Sequence, residues 1–197
     1  MNIAIIGTAG RESDGEKLTR DSFPIMYSTT QRIIRSQIGH DSFTLISGGA
    51  AWADHVAVSM FILGNSDGLI LELPCELTDT GRFVDTGVRD FKKNPGGTAN
   101  YYHELFSKKV GFDSFDHLKR TKEYAECTTS VGNGFFERNS KIAESADYCI
   151  ALTFGNGAEL KDGGTADTMK KFLKKGSGKS FHVDLNDWKV YSPAIVK

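Results

Sequence analysis

Tyr148-Cys149-Ile150-Ala151-Leu152-Thr153-Phe154, followed shortly by Asp162-Gly163-Gly164-Thr165-Ala166-Asp167-Thr168, is the stretch that decides the fold. The first run is apolar throughout, as in a strand of a parallel sheet covered on both faces. The second opens an amphipathic stretch that ends at Lys174-Lys175-Gly176. Strand, glycine-rich turn and helix start, in that order, make a helix N-terminus into an anion site. The free N–H groups and the positive dipole end point the same way, and glycine lets a phosphate come close. The N-terminus repeats the theme, with Asn2-Ile3-Ala4-Ile5-Ile6 leading into Gly7-Thr8-Ala9-Gly10-Arg11. Two such turns point to a nucleotide-like small molecule as ligand.

Working outward, the same unit recurs. Phe43-Thr44-Leu45-Ile46-Ser47 reads as a strand ending in Gly48-Gly49, backed by a helix carrying Trp52, Ala53, Val56, Ala57, Met60 and Leu63. Residues 21–38, with Ile33, Ile34 and Ile38, read as a helix, and Gly68 to Pro74 as a further strand. Phe135 to Ala146 and Gly164 to Lys175 read as helices, and Ser180 to Leu185 as the last strand. This alternation predicts an α/β fold: a Rossmann-like, doubly wound, mostly parallel sheet of about five strands in one domain over residues 1–197. Residues 75–134 exceed an ordinary crossover and read as a helical insert. It has a turn at Asn94-Pro95-Gly96-Gly97 and helical patterns over Ala99 to Val110 and Ser114 to Ala125. It leaves a strand at the sheet's ligand-binding edge, so it is either a lid or specificity module, or ornamental or dimer-forming structure.

Composition narrows the function classes. At 39% hydrophobic and 25% charged residues the chain has the apolar mass for a real core. A net charge of −1 provides no global field toward nucleic acid or an anionic membrane, and neither is expected as a partner. Cys75, Cys127 and Cys149 are far apart and lack Cys-x-x-Cys spacing, so neither a disulfide framework nor a metal site is expected. No cofactor is expected either. The chain opens on a strand at Asn2, and no apolar run reaches membrane-spanning length, so a cytoplasmic location is expected. A homodimer or homotetramer is compatible with this reading.

The candidate ligand-binding residues are those of the turns and the helix that faces them. Gly7, Thr8 and Arg11 come from the first turn, and Ser47, Gly48, Gly49 and Asp54 from the second, where Asp54 also stabilises the helix dipole. Gly163, Gly164, Thr165 and Thr168 come from the last turn, where Asp162 is placed to cap the helix. Asn139 lies on the apolar stripe Phe135, Asn139, Ile142, Ala143, Ala146, so its amide must tie down a loop or meet a ligand. Arg138 beside it either clamps an anion or forms a surface ion pair. Glu72, in a strand otherwise of Leu and Ile, is either a catalytic carboxylate, a ribose-hydroxyl acceptor or an outward-pointing edge residue.

Taken in order, these segments resemble the SLOG superfamily, the Rossmann-like group that includes LOG-type, DprA-type and YpsA-type proteins. The YspA/cpYpsA-related branch is the most similar. Ile6-Gly7-Thr8-Ala9-Gly10-Arg11 resembles its Gly-Ser-Arg turn, and Ser47-Gly48-Gly49-Ala50-Ala51-Trp52-Ala53-Asp54 its SGGARGAD motif. Arg138-Asn139 with Ala146-Asp147 is similar to its RN…AD segment, and Gly164-Thr165 with Thr168 to its final Gly-Thr turn. Cys75 to Gly134 lies outside the matches. The resemblance implies binding of a nucleotide or nucleotide-derived molecule. LOG-type relatives cleave the N-glycosidic bond of nucleoside monophosphates, which is the alternative expectation. Their catalytic glutamate aligns with Thr168 here, so hydrolysis needs a substitute among Glu72, Asp162 and Asp167. Trp52 is a second departure, at a glycine of the motif.

Overall fold

The apolar runs become a single sheet. The computed structural model describes residues 1–176 and 178–194. Its strands are β1 (Asn2–Gly7), β2 (Thr44–Ser47), β3 (Gly68–Leu73), β4 (Cys127–Val131), β5 (Tyr148–Thr153), β6 (Gly155–Asn156), β7 (Glu159–Leu160), β8 (Lys179–Asp184) and β9 (Lys189–Tyr191). Seven of them pair in the order β4-β3-β2-β1-β5-β8-β9, while β6 and β7 form a separate two-stranded hairpin. Every pairing in the large sheet is parallel except β8–β9. β1 is central: Ile5 lies beside Ser47 on one side and Ile150 on the other.

Among the described residues seven helices accompany the sheet: α1 (Ser13–Lys17), α2 (Ser22–Ile33), α3 (Ala53–Ile62), α4 (Pro95–Val110), α5 (Ser114–Thr121), α6 (Phe135–Ser145) and α7 (Gly164–Lys175). A π-helical turn, Ile34–Ile38, continues α2. Side chains alternate across the strands, and both faces are buried. Ile3, Ile5, Leu45, Leu69, Leu71, Ile150 and Leu152 pack with Met26, Ile33, Val56 and Met60 of α2 and α3. On the other face Ala4, Ile6, Ile46, Cys149 and Ala151 meet Ile142, Ala143, Met169 and Phe172 of α6 and α7. Two covered faces explain why these strands carry almost no polar residues. The architecture is the expected Rossmann-like α/β fold.

Three details depart from the sequence reading. The five expected strands are joined by two more in the large sheet. β4 is Cys-Thr-Thr-Ser-Val, a largely exposed edge strand, and β9 has three residues. Neither carries an apolar run, because an edge strand need not bury both faces. The segment expected as an insert over 75–134 therefore returns to the sheet at β4. The turn expected at Asn94–Gly97 is instead the first turn of α4. Asn94 caps it by accepting from the Gly97 N–H at 3.1 Å, and Pro95 takes the first helical position. Gly96 is needed there, since a Cβ would stand 1.9 Å from the Val84 carbonyl oxygen.

The connection between β3 and β4 packs on the α3 side. Phe106 of α4 is fully buried against Trp52, Phe23 and His55, and Leu118 of α5 joins the same core.

Candidate functional site

A cavity of about 400 Å³ opens beyond the C-terminal ends of β1 and β5. Connections run from β1 toward β2 on one side and from β5 toward β8 on the other, which makes this the topological switch point of the sheet. Crevices at that position are the usual ligand site of an open α/β sheet.

The first turn forms the floor. Gly7 has no room for a side chain, since a Cβ would lie 2.0 Å from the Leu152 carbonyl oxygen. Thr8 is a structural knot. Its N–H donates to Leu152 O at 2.9 Å. Its hydroxyl accepts from the Gly10 N–H and donates to Asp14 Oδ2, both at 3.1 Å. Arg11 is exposed, with its guanidinium 5.5 Å from the ring centre of Tyr102 and 5.1 Å from that of Phe135. Aromatic faces on those sides hold the cation in place without neutralising it.

Of the second turn, Ala50 and Asp54 line the cavity, while Ser47, Gly48 and Gly49 support it from behind. The buried Ser47 hydroxyl donates to Asp54 O at 2.8 Å and accepts from the Gly49 N–H at 3.1 Å. Gly48 lies under Arg138, whose Nη1 donates to Gly48 O at 3.0 Å and to Asp54 Oδ2 at 3.1 Å. A Cβ on Gly48 would sit 1.7 Å from that nitrogen. Asp54 and Arg138 both border the cavity as a buried ion pair. Burial pushes the Asp54 carboxyl above its ordinary range and the Arg138 guanidinium below its own. Their mutual attraction opposes both shifts, and the N–H groups of Ala50, Gly48 and Gly7 further oppose that of Asp54. Arg138 Nε has no hydrogen-bond partner among the described residues.

Gly49 fastens the site to the β3–β4 connection. Its φ of +67° favours glycine, and its carbonyl oxygen is 2.9 Å from Nε2 of the fully buried His103 on α4. A carbonyl only accepts, so Nε2 carries the proton and Nδ1 accepts from Ser114 Oγ, also at 2.9 Å. Burial pushes His103 down to about 4. It also holds His55 well below its ordinary value, with His103 and His117 adding to that shift.

The third wall is the start of α7. Gly163 is the N-cap, with φ 138° and ψ −160°, and no side chain caps the helix. Its first-turn N–H groups therefore stay open toward the cavity, which Gly163, Gly164 and Thr165 line. Asp162 does not cap, contrary to the sequence reading, because the cap falls one residue later. It is instead an exposed carboxylate on the cavity wall. Thr168 borders the cavity, but its hydroxyl donates back to Gly164 O at 2.9 Å. Asn139, buried on α6, donates to Gly164 O at 3.3 Å and Asp167 Oδ2 at 3.2 Å, so it ties α6 to this helix start.

Two proposed catalytic carboxylates lie outside the cavity lining. Asp167 is engaged by Asn139 and by Lys171 at 2.8 Å. Glu72 is buried on the α6 face of β3, in register with Ser130, and its Oε2 has no partner among the described residues. Of the three candidates, the cavity takes in Asp162. The sequence reading missed Lys161, whose ammonium meets Asp14 Oδ1 at 2.7 Å on the cavity wall. A basic residue directly before Asp162-Gly163-Gly164 was the available signal. Asp14, Glu12 and the rings of Phe91, Phe135 and Phe136 also line the cavity without a local motif to mark them.

Among the described residues no helix is long and apolar enough to cross a membrane, and no cluster of three or more His, Cys, Asp or Glu side chains is placed to hold a metal ion. No family model matches the chain, and no solved structure matches it. It is 37% identical over 174 residues to the uncharacterized protein R261 of Acanthamoeba polyphaga mimivirus, covering 87% of this chain and 90% of the viral one. The chain belongs to the family of that viral protein. The unmatched share is smaller than the β3–β4 connection, so that connection is at least partly shared by the two proteins.

Proposed function

We propose that the protein binds a nucleotide or nucleotide-derived small molecule in the cavity between the first glycine turn and α7. The observation that carries this reading is the uncapped start of α7 behind Gly163, facing a cavity at the sheet's switch point. Open N–H groups and the helix dipole favour a phosphate there. Arg11, which has no carboxylate partner among the described residues, and the exposed Lys161, paired on one side with Asp14, supply positive charge on the same cavity, whereas Arg138 is buried against Asp54. Sensing or sequestration follows if the ligand is held without being changed.

The SLOG resemblance supports the same reading. Trp52 has φ 59° and ψ −106°, a backbone conformation suited to glycine, and the SGGARGAD motif has glycine at that position. Three free cysteines are compatible with a cytoplasmic location. The test is mass spectrometry of ligand released from purified protein, combined with a thermal-shift screen of nucleotides. A co-purified nucleotide, or a raised Tm with one, supports the reading; neither appearing in the full panel overturns it.

N-glycosidic hydrolysis is the second reading, favoured by the Asp162 carboxylate, which is free of hydrogen-bonded partners among the described residues and lines the cavity. Such chemistry needs a carboxylate to activate water or stabilise an oxocarbenium-like transition state. Release of free base from nucleoside monophosphates, lost in Asp162→Asn, supports it. Intact nucleotide after prolonged incubation overturns it.

A further inference from the structure

We propose that Phe91 of the β3–β4 connection and Phe136 of α6 provide the ring faces on which the planar base of the ligand stacks, while the glycine turns hold the phosphate. This rests on the nucleotide reading above and assigns the connection a part in it.

Phe91 and Phe136 are 47% and 63% exposed, and among the described residues they are the two exposed large apolar side chains that border the cavity. The other rings beside them are already occupied. Phe135 faces the guanidinium groups of Arg11 and Arg138 at 5.1 and 5.6 Å, and Tyr102 faces Arg11. Phe91 and Phe136 have no aromatic partner among the described residues; Phe91 has only the Lys92 ammonium, 6.0 Å from its ring centre. Leaving such faces in water forgoes burial that a flat apolar ligand surface would restore.

Both rings stand on fixed backbone. Phe136 is in the first turn of α6. Phe91 follows Asp90, whose carbonyl accepts the N–H groups of Lys93 at 3.0 Å and Asn94 at 2.8 Å, and whose Oδ1 accepts that of Lys92 at 2.9 Å. Asn94 then caps α4. The loop is thus locked by hydrogen bonds rather than free to fold over the ring. A base has the matching chemistry: a flat π-face, which an aromatic side chain accepts whatever the base.

The test is calorimetric titration of the full chain and of Phe91→Ala, Phe136→Ala and Phe91→Trp. The probes are a panel of nucleoside 5′-monophosphates and ribose 5-phosphate, which carries sugar and phosphate without a base. The tightest nucleotide should bind the wild-type chain more strongly than ribose 5-phosphate. Each alanine variant should weaken that nucleotide about tenfold, leave ribose 5-phosphate within about twofold, and Phe91→Trp should preserve affinity. Nucleotide affinity unchanged in either alanine variant overturns the paired stacking faces and leaves the nucleotide reading standing. Equal weakening of both probes also overturns it, since the rings would then act through the fold. Failure of the wild-type chain to bind any nucleotide overturns both.

Discussion

His103 of α4 donates its Nε2 proton to the carbonyl oxygen of Gly49, 2.9 Å away, and so fastens the β3–β4 connection to the second glycine turn. Both groups are buried, so the bond has no solvent substitute. Through it the connection that carries Phe91 is set relative to the cavity floor.

That histidine should make the fold acid-sensitive. The unfolded chain protonates His103 near 6.5, whereas burial holds the folded form at about 4. The stability of the neutral form is therefore complete above pH 6.5 and lost as pH falls toward 4, by about 3 kcal/mol from this one group. His55, shifted the same way, adds to the loss. Asp54, shifted upward, acts in the opposite sense, so the difference between wild type and His103→Gln isolates the histidine. Urea denaturation at pH 7.5 and pH 5 should give a clear drop in the wild type and a smaller one in His103→Gln. Equal drops would contradict the assignment.

The Asp54–Arg138 pair should behave as a unit. Asp54→Asn leaves a buried guanidinium without its counter-charge and should cost about 3–5 kcal/mol of stability. Arg138→Met should cost a similar amount, and the double variant less than the two together. Denaturation midpoints of the three variants check this; additive losses would mean that the charges do not depend on each other.

Much of this arrangement was legible in the sequence, for a physical reason. Strands buried on both faces must be apolar, so β1, β2, β3 and β5 declare themselves, while β8 shows only through Phe181, Val183 and the Leu185 that follows it; glycine turns follow β1, β2 and, beyond a short hairpin, β5. β4 and β9 were not legible because edge position removes the demand for apolar residues. Within the site, Gly7 has the close backbone approach and Asn139 the buried polar placement that their types and spacing imply, whereas Arg138, expected at the rim as an anion clamp or in a surface ion pair, is in a buried pair with Asp54. Asp14 and Phe91 reach the cavity only through tertiary packing, which no local pattern encodes. Glu72 misled because polarity inside an apolar strand looks the same whether the side chain meets a cavity or the flank of a helix.

Lys161 should separate binding from stability. The lysine end of its ion pair is exposed while Asp14 is buried and keeps the Thr8 hydroxyl as a partner, so Lys161→Ala should cost no more than about 1–2 kcal/mol of stability. Loss of a charged phosphate partner should nonetheless weaken nucleotide binding about tenfold. Calorimetry beside a thermal melt reads both. Undiminished affinity would remove Lys161 from the ligand's surroundings.

The most direct test of the central claim is to follow the backbone amide resonances of 15N-labelled protein during titration with the nucleotide that most raises its Tm. The largest shifts should fall on Gly164, Thr165 and Ala166, where the open N–H groups of α7 would receive the phosphate, with Gly163→Val abolishing them while the rest of the spectrum stays folded. Saturation by the nucleotide without movement of those three amides would contradict the account.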